Sequence, residues 1–206
     1  MGSLLIPLIE GFFTGFGLLM AIGPQGAFVL RQGILKKYVF IVPLFCSLSD
    51  VLLIGLGVAG LGEILTDNKI LFAVAKWGGA AFLFYYGFNS FKLLFRSKNS
   101  NPNLSEGNAS DSLKKTLISL FALTFLNPLV YLDTVVLLGS VGSQFVAMRR
   151  AFFALGAMVA AFTWFFSLSY GARLLSPLFQ NPKVQKGIDG VTGCIMWTVA
   201  VSVLRS

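Results

Sequence analysis

Six apolar stretches dominate this chain: residues 4–30, 38–62, 70–95, 115–140, 149–176 and 184–204. A helix needs about 20 apolar residues to cross the hydrocarbon layer of a bilayer, and each stretch supplies them. Backbone amides and carbonyls find no water in lipid, so only helices and closed barrels can span it. These runs are too long and too continuously apolar for barrel strands, so the fold class expected is an all-α membrane protein with six transmembrane helices. Of 206 residues, 56% are hydrophobic and only 12% are charged, about half the charged share of a soluble domain. The first stretch reads as a span rather than a cleavable signal peptide. No Lys or Arg precedes it, and it runs far past the length of a signal peptide's apolar core.

The breaks between stretches are RQGILKK, TDN, the polar segment RSKNSNPNLSEGNASDSLK at 96–114, SQFVAMRR and SPLFQNPK. The Ser, Asn and Gly content of 96–114 marks a flexible linker. Its two N-x-S triplets, at Asn103 and Asn108, are common by chance. The chain therefore divides into 1–95, a linker at 96–114, and 115–206, with three spans on each side.

The net charge is +8. We assign it to the membrane surface rather than to nucleic acid, because the basic residues sit in short turns between apolar runs. Arg31, Lys36, Lys37, Lys92, Arg96, Lys98, Lys114, Lys115, Arg173, Lys183 and Lys186 flank loops 1–2, 3–4 and 5–6. Lys69, Lys76, Arg149, Arg150 and Arg205 lie on the other side. That bias puts the first group in the cytoplasm and both termini outside, with Arg149 and Arg150 as a local counterargument.

Within the spans, two segments echo one another. Span 1 carries LLMAIGPQGAFVLRQG and span 4 carries LTFLNPLVYLDTVVLLG. Gly23-Pro24 and Asn127-Pro128 stand 104 positions apart, half the chain. Two halves of three spans must lie in opposite orientations, since three is odd. The expectation is two three-helix inverted repeats with broken helices 1 and 4, a plan found in many secondary transporters. Proline lacks an amide donor and clashes with the carbonyl four residues back. In lipid the freed carbonyls need partners or a wet cavity. Gly23 and Gly26, flanking Pro24 and Gln25, would let a backbone or a solute approach closely.

Charges and amides inside an apolar span need a reason. A charge at the bilayer centre costs about 2.5–3.5 kcal/mol on insertion scales. Gln25, Asp50, Asn127 and Asp133 fall in such positions, and Glu10 and Asp189 are further candidates. Asp50 follows IVPLFCSLS near mid-span. It is either a cation or proton site, or the partner of a basic residue from another span such as Lys76. Counting from Asn127, positions 130/131 and 134 share its helix face, Tyr131 among them, and Asp133 lies at the edge. That face either binds a solute, or Tyr131 anchors the interface and Asp133 caps a broken helix. The small-residue patterns Gly11-x-x-x-Gly15 and Gly55, Gly57 with Ala59 fit close helix packing within the chain or in a homodimer, and the pattern does not choose.

Several classes are excluded. With no histidine there is no Ser-His-Asp set and no histidine metal site. Cys46 and Cys194 stand apart in apolar runs, matching no metal or redox spacing. No phosphate loop appears, so no cofactor, metal or ATPase site is expected, and transport would be driven by gradients.

Taken together, IGPQGAFVLRQGI, SLSDVLLIGLGVAG, WGGAAFLFYYGF, LTFLNPLVYLDTVVLLGS and RRAFFALGA…WFFSLSYGARLLSP resemble the lysine/arginine exporter family (LysE type), in the right order over nearly the whole chain. The resemblance implies a multi-pass carrier of the bacterial inner membrane that exports lysine or arginine and is not an enzyme. It implies substrate contacts from Gln25, Asp50, Asn127, Tyr131 and Asp133, with helix breaks at Gly23, Pro24, Gly26 and Pro128. Expelling a cation against an inside-negative potential costs about 2.3 kcal/mol per 100 mV; exchange for an inward proton would cancel that charge movement, so protons are the expected coupling partner. Two departures stand out. The family pattern GPQN here reads GPQG, with Gly26, and the polar residue, often His, that follows Asn-Pro is here Leu129. Export of another small amino acid, or a cation channel or metal-ion carrier, is the alternative.

Overall fold

The structure, a computed structural model, describes residues 2–20, 23–61, 77, 80–81, 83–85, 87–88, 112–179, 187, 190–191, 193–198 and 200–201. Every element among them is helical. Helix α1 spans Gly2–Leu19 and α2 spans Pro24–Ile34. Helix α3 covers Ile41–Leu56 and continues as a π-helical turn, Gly57–Leu61. After the linker come α4, Leu113–Phe125, and a short α5, Pro128–Tyr131. A second π-helical stretch, Leu132–Leu137, runs into α6, Leu138–Ser143. Helix α7, Ala147–Leu175, ends in a 3₁₀ turn, Ser176–Phe179.

Among the described residues, two unbroken helices are long and apolar enough to cross a membrane, Ile41–Gly60 and Met148–Leu175. Two bent pairs pass the same test together: Leu4–Leu19 with Pro24–Ile34, bent by 81°, and Leu113–Phe125 with Leu129–Ser143, bent by 62°. These four correspond to the expected spans 1, 2, 4 and 5. The expected spans 3 and 6 are described only at scattered residues. Those are helical and pack on each other, the Trp197 indole N–H donating to the Phe84 carbonyl at 3.3 Å. Lys76, the candidate partner for Asp50, and Asp189 lie outside the described residues, as does most of the linker.

Helix α7 is the spine. At 29 residues it is roughly 43 Å long at 1.5 Å per residue, longer than the hydrocarbon core, and α1, α2 and α3 all pack along it. Glycine sets how close they come. A Cβ on Gly11 would overlap the Phe153 backbone, and one on Gly156 would overlap the carbonyl of Leu8, so neither helix tolerates a side chain at this crossing. A second crossing joins the two π-helical turns. A Cβ on Gly57 would sit 2.6 Å from Cα of Val135, and one on Gly139 only 2.7 Å from the Gly57 carbonyl oxygen. Gly11, Gly15 and Gly57 therefore serve packing within the chain.

Local chemistry shapes the turns. Helix α2 ends in a Schellman motif: Lys37 N–H donates to the Gln32 carbonyl and Lys36 N–H to that of Gly33, with Lys36 left-handed at φ 56°. Gly60 ends the π turn of α3 at φ 93°, where a β-carbon would be strained.

Apolar side chains bury in two clusters. One gathers Phe28, Val42, Cys46, Leu123, Phe165 and Met196 around the middle of α7. The other gathers Ile54, Val58, Leu138, Phe153 and Ala157 at its N-terminal end.

Candidate functional site

Both helix breaks work the same way at the level of the backbone. Pro24 and Pro128 are each the first residue of a new helix. At that position the missing amide has no intrahelical partner to lose and the fixed φ suits the helix. The prolines thus restart helices rather than kink one, and the chain changes direction just before each.

The two restarts differ in how their first amides are served. In the second half Asn127 precedes the helix and its Oδ1 accepts the N–H of Leu129 at 3.2 Å, a side-chain N-cap. That leaves the Phe125 carbonyl without the Leu129 amide, its helical donor. The hydroxyl of Tyr131 donates to it instead, at 2.8 Å. Thr134 closes the next turn, donating to the Val130 carbonyl at 2.6 Å. In the first half, Gly23 stands at the cap position and no side chain caps α2. The first-turn amides of a helix lack intrahelical acceptors, and the helix dipole makes that end attractive to an anion.

A cavity of about 260 Å³ opens where the breaks meet. Its walls bring together Gly23, Pro24, Gln25 and Gly26 from the first break, Asn127, Leu129, Val130, Asp133 and Thr134 from the second, and Asp50 from α3. Leu18, Leu19, Trp164 and Phe165 complete it. Asp50 is only 1% exposed, and neither of its carboxylate oxygens has a hydrogen-bond partner. A buried carboxylate with no donor is expensive. Asp133, half-buried on the π-helical stretch, lines the same cavity. Gln25 is 8% exposed and its Nε2 has no acceptor, so an unpartnered amide donor lies beside the uncapped start of α2. The cavity thus carries acceptors at Asp50 and Asp133, and donors at Gln25 and the α2 N-terminus.

Of the five side chains expected to meet a solute, four line this cavity: Gln25, Asp50, Asn127 and Asp133. Tyr131 does not; its hydroxyl serves the break. Of the face counted from Asn127, positions 127, 130 and 134 and the edge residue Asp133 look into the cavity, joined by Leu129, and Tyr131 alone turns away. Both departures from the family pattern, Gly26 and Leu129, lie on the cavity wall. Trp164 also lines the cavity; nothing in its local pattern separates it from the many aromatics around it. Glu10 is exposed on α1, away from the cavity.

Residues 16–206 match the family described as LysE type translocator. The chain is 41% identical over 197 residues to the arginine exporter protein ArgO of Pectobacterium carotovorum subsp. carotovorum (strain PC1), covering 96% of each chain. It is 39% identical over 197 residues to the arginine exporter protein ArgO of Escherichia coli (strain K12), covering 95% of this chain and 92% of that one. No solved structure matches the chain significantly.

Proposed function

This chain belongs to the LysE type translocator family, an integral membrane transporter family, and on that premise we propose that it exports a cationic amino acid, arginine or lysine, across the bacterial inner membrane. The observation that carries the reading is Asp50: a carboxylate buried without a donor, in a cavity shared with Asp133 and both helix breaks. Two acidic groups there favour a cationic side chain. The uncapped start of α2 and the Gln25 amide favour a carboxylate. A basic amino acid offers both charges at once. The named activity of the curated relatives, arginine export, supports the same choice.

In this reading the six spans form two inverted three-helix repeats with both termini outside, supported by the matched restarts at Pro24 and Pro128. The substrate lies between them, its α-carboxylate toward Gln25 and α2 and its side-chain cation toward Asp50 and Asp133. Asn127 and Tyr131 hold the second break in shape around it. An inward proton carried on the acidic pair offsets the charge moved outward, so export is proton-coupled.

The test is uptake of labelled arginine into inverted membrane vesicles with an acidic interior. Uptake above that of an Asp133→Asn control, abolished by a protonophore, is the expected result. No uptake above the control would sink the proposal, and conductance in planar bilayers without gradient-driven uptake would replace it with a channel.

A further inference from the structure

Trp164 is the lining residue that the reading above leaves without a task. Two carboxylates attract the charge of an ammonium or a guanidinium alike, although only the guanidinium can pair with one of them bidentately. Discrimination between the two has to come from shape. A guanidinium is planar, weakly hydrated and stacks on aromatic faces, whereas an ammonium is a compact, strongly hydrated point charge. The other lining side chains offer little to tell them apart. Asn127 Oδ1 is taken by the Leu129 amide and the Thr134 hydroxyl donates to Val130. Leu18, Leu19 and Leu129 are aliphatic. Phe165, the other aromatic in the wall, is 2% exposed and packed into the core with Cys46 and Met196.

The indole is held in place before any substrate arrives. It sits on α7, the longest helix described, and Phe16 meets it edge-on with ring centroids 5.6 Å apart and planes at 87°. Its height relative to Asp50 is set by the contact between α3 and α7. Ser47, one turn before Asp50, donates to the carbonyl of Ala161, one turn before Trp164, at 3.5 Å. A carboxylate and an aromatic platform thus reach one cavity from two helices locked together between them.

We infer that Trp164 is the specificity-determining residue of this carrier, its indole receiving a planar guanidinium side chain and so favouring arginine-like over lysine-like cargo. The inference rests on the export of basic amino acids proposed above. A desolvated cation on a tryptophan face is stabilised enough to change affinity by about tenfold or more.

The experiment is competition in inverted vesicles: labelled arginine uptake by the full chain, inhibited by unlabelled arginine or lysine. Trp164→Leu is expected to weaken arginine about tenfold and lysine by less than about threefold, while Trp164→Phe keeps most of the preference. The ratio is internal to one preparation, so it does not depend on how much variant reaches the membrane. If Trp164→Leu does not accumulate, Trp164→Met, a flexible side chain of comparable reach, carries the same expectation. Equal changes for both substrates, or none, overturn the inference while leaving basic amino-acid export standing. A wild-type chain that takes up neither substrate overturns that reading and the inference with it.

Discussion

The Tyr131 hydroxyl donates to the Phe125 carbonyl at 2.8 Å, six residues back across the break in span 4. In an unbroken helix that carbonyl would take the Leu129 amide, which here turns to Asn127. Asn127 and Tyr131 together replace one backbone hydrogen bond by two side-chain bonds. The exchange lets the helix stop and restart inside the bilayer without stranding either group.

Tyr131→Phe removes only the donor. It should lower stability by about 1–3 kcal/mol, the cost of a buried carbonyl left unmade, and leave the arginine-to-lysine ratio unchanged. Asn127→Ala, which loses the cap, should lower it by about 1 kcal/mol. Thermal unfolding of the purified protein in detergent reads the first effect, and competition uptake reads the second. A changed substrate ratio in Tyr131→Phe would mean that the hydroxyl reaches the cargo after all.

Asp50→Asn keeps the shape and removes the charge. Because both Asp50 oxygens lack a donor, the neutral amide relieves a burial cost, so the variant should fold at least as stably as wild type while arginine export falls by more than about tenfold. Rescue assays in cells poisoned by an arginine analogue, paired with unfolding curves, check both halves.

Proton coupling has a sign. On the proposed exchange, the exported amino acid moves into inverted vesicles and the proton moves out. An acidic interior should therefore accelerate uptake, an alkaline interior should slow it, and a protonophore should remove the difference. Uptake indifferent to the imposed gradient would separate export from protons.

Two glycines that look alike in sequence should behave in opposite ways. A Cβ on Gly23 meets nothing within 4 Å, so Gly23→Ala should fold normally and act only by narrowing the cavity, seen as a raised KM for uptake. A Cβ on Gly57 would press on the backbone of Val135 and Thr134. Gly57→Ala should cost about 1–3 kcal/mol, read as a lower unfolding temperature.

Much of this was legible in the residues alone. Apolar length marks the spans, since the bilayer sets it. Gly23-Pro24 and Asn127-Pro128 mark the breaks, because proline cannot continue a helix and in lipid few other places tolerate one. Asp50 and Asp133 announce themselves because a charge in hydrocarbon needs a reason. Each of these is a local violation of the rule for its surroundings, visible without knowing what lies across the bundle.

What lies across the bundle was not legible. Helical periodicity says which side chains share a face but not what that face meets. Tyr131 turns back to its own break, where its hydroxyl donates to the carbonyl that the break freed. Gly57 and Gly139 meet only because the π-helical end of α3 crosses the start of α6 there. Trp164 became part of the cavity because α7 packs against α3 and α1 at that height, a placement set by contacts between helices far apart in the chain. Apolar length and proline placement are local, so they carry the class of machine, four of the expected spans and the two breaks. Which of the conspicuous side chains face the cavity depends on helix phase and crossing, and long-range packing fixes both.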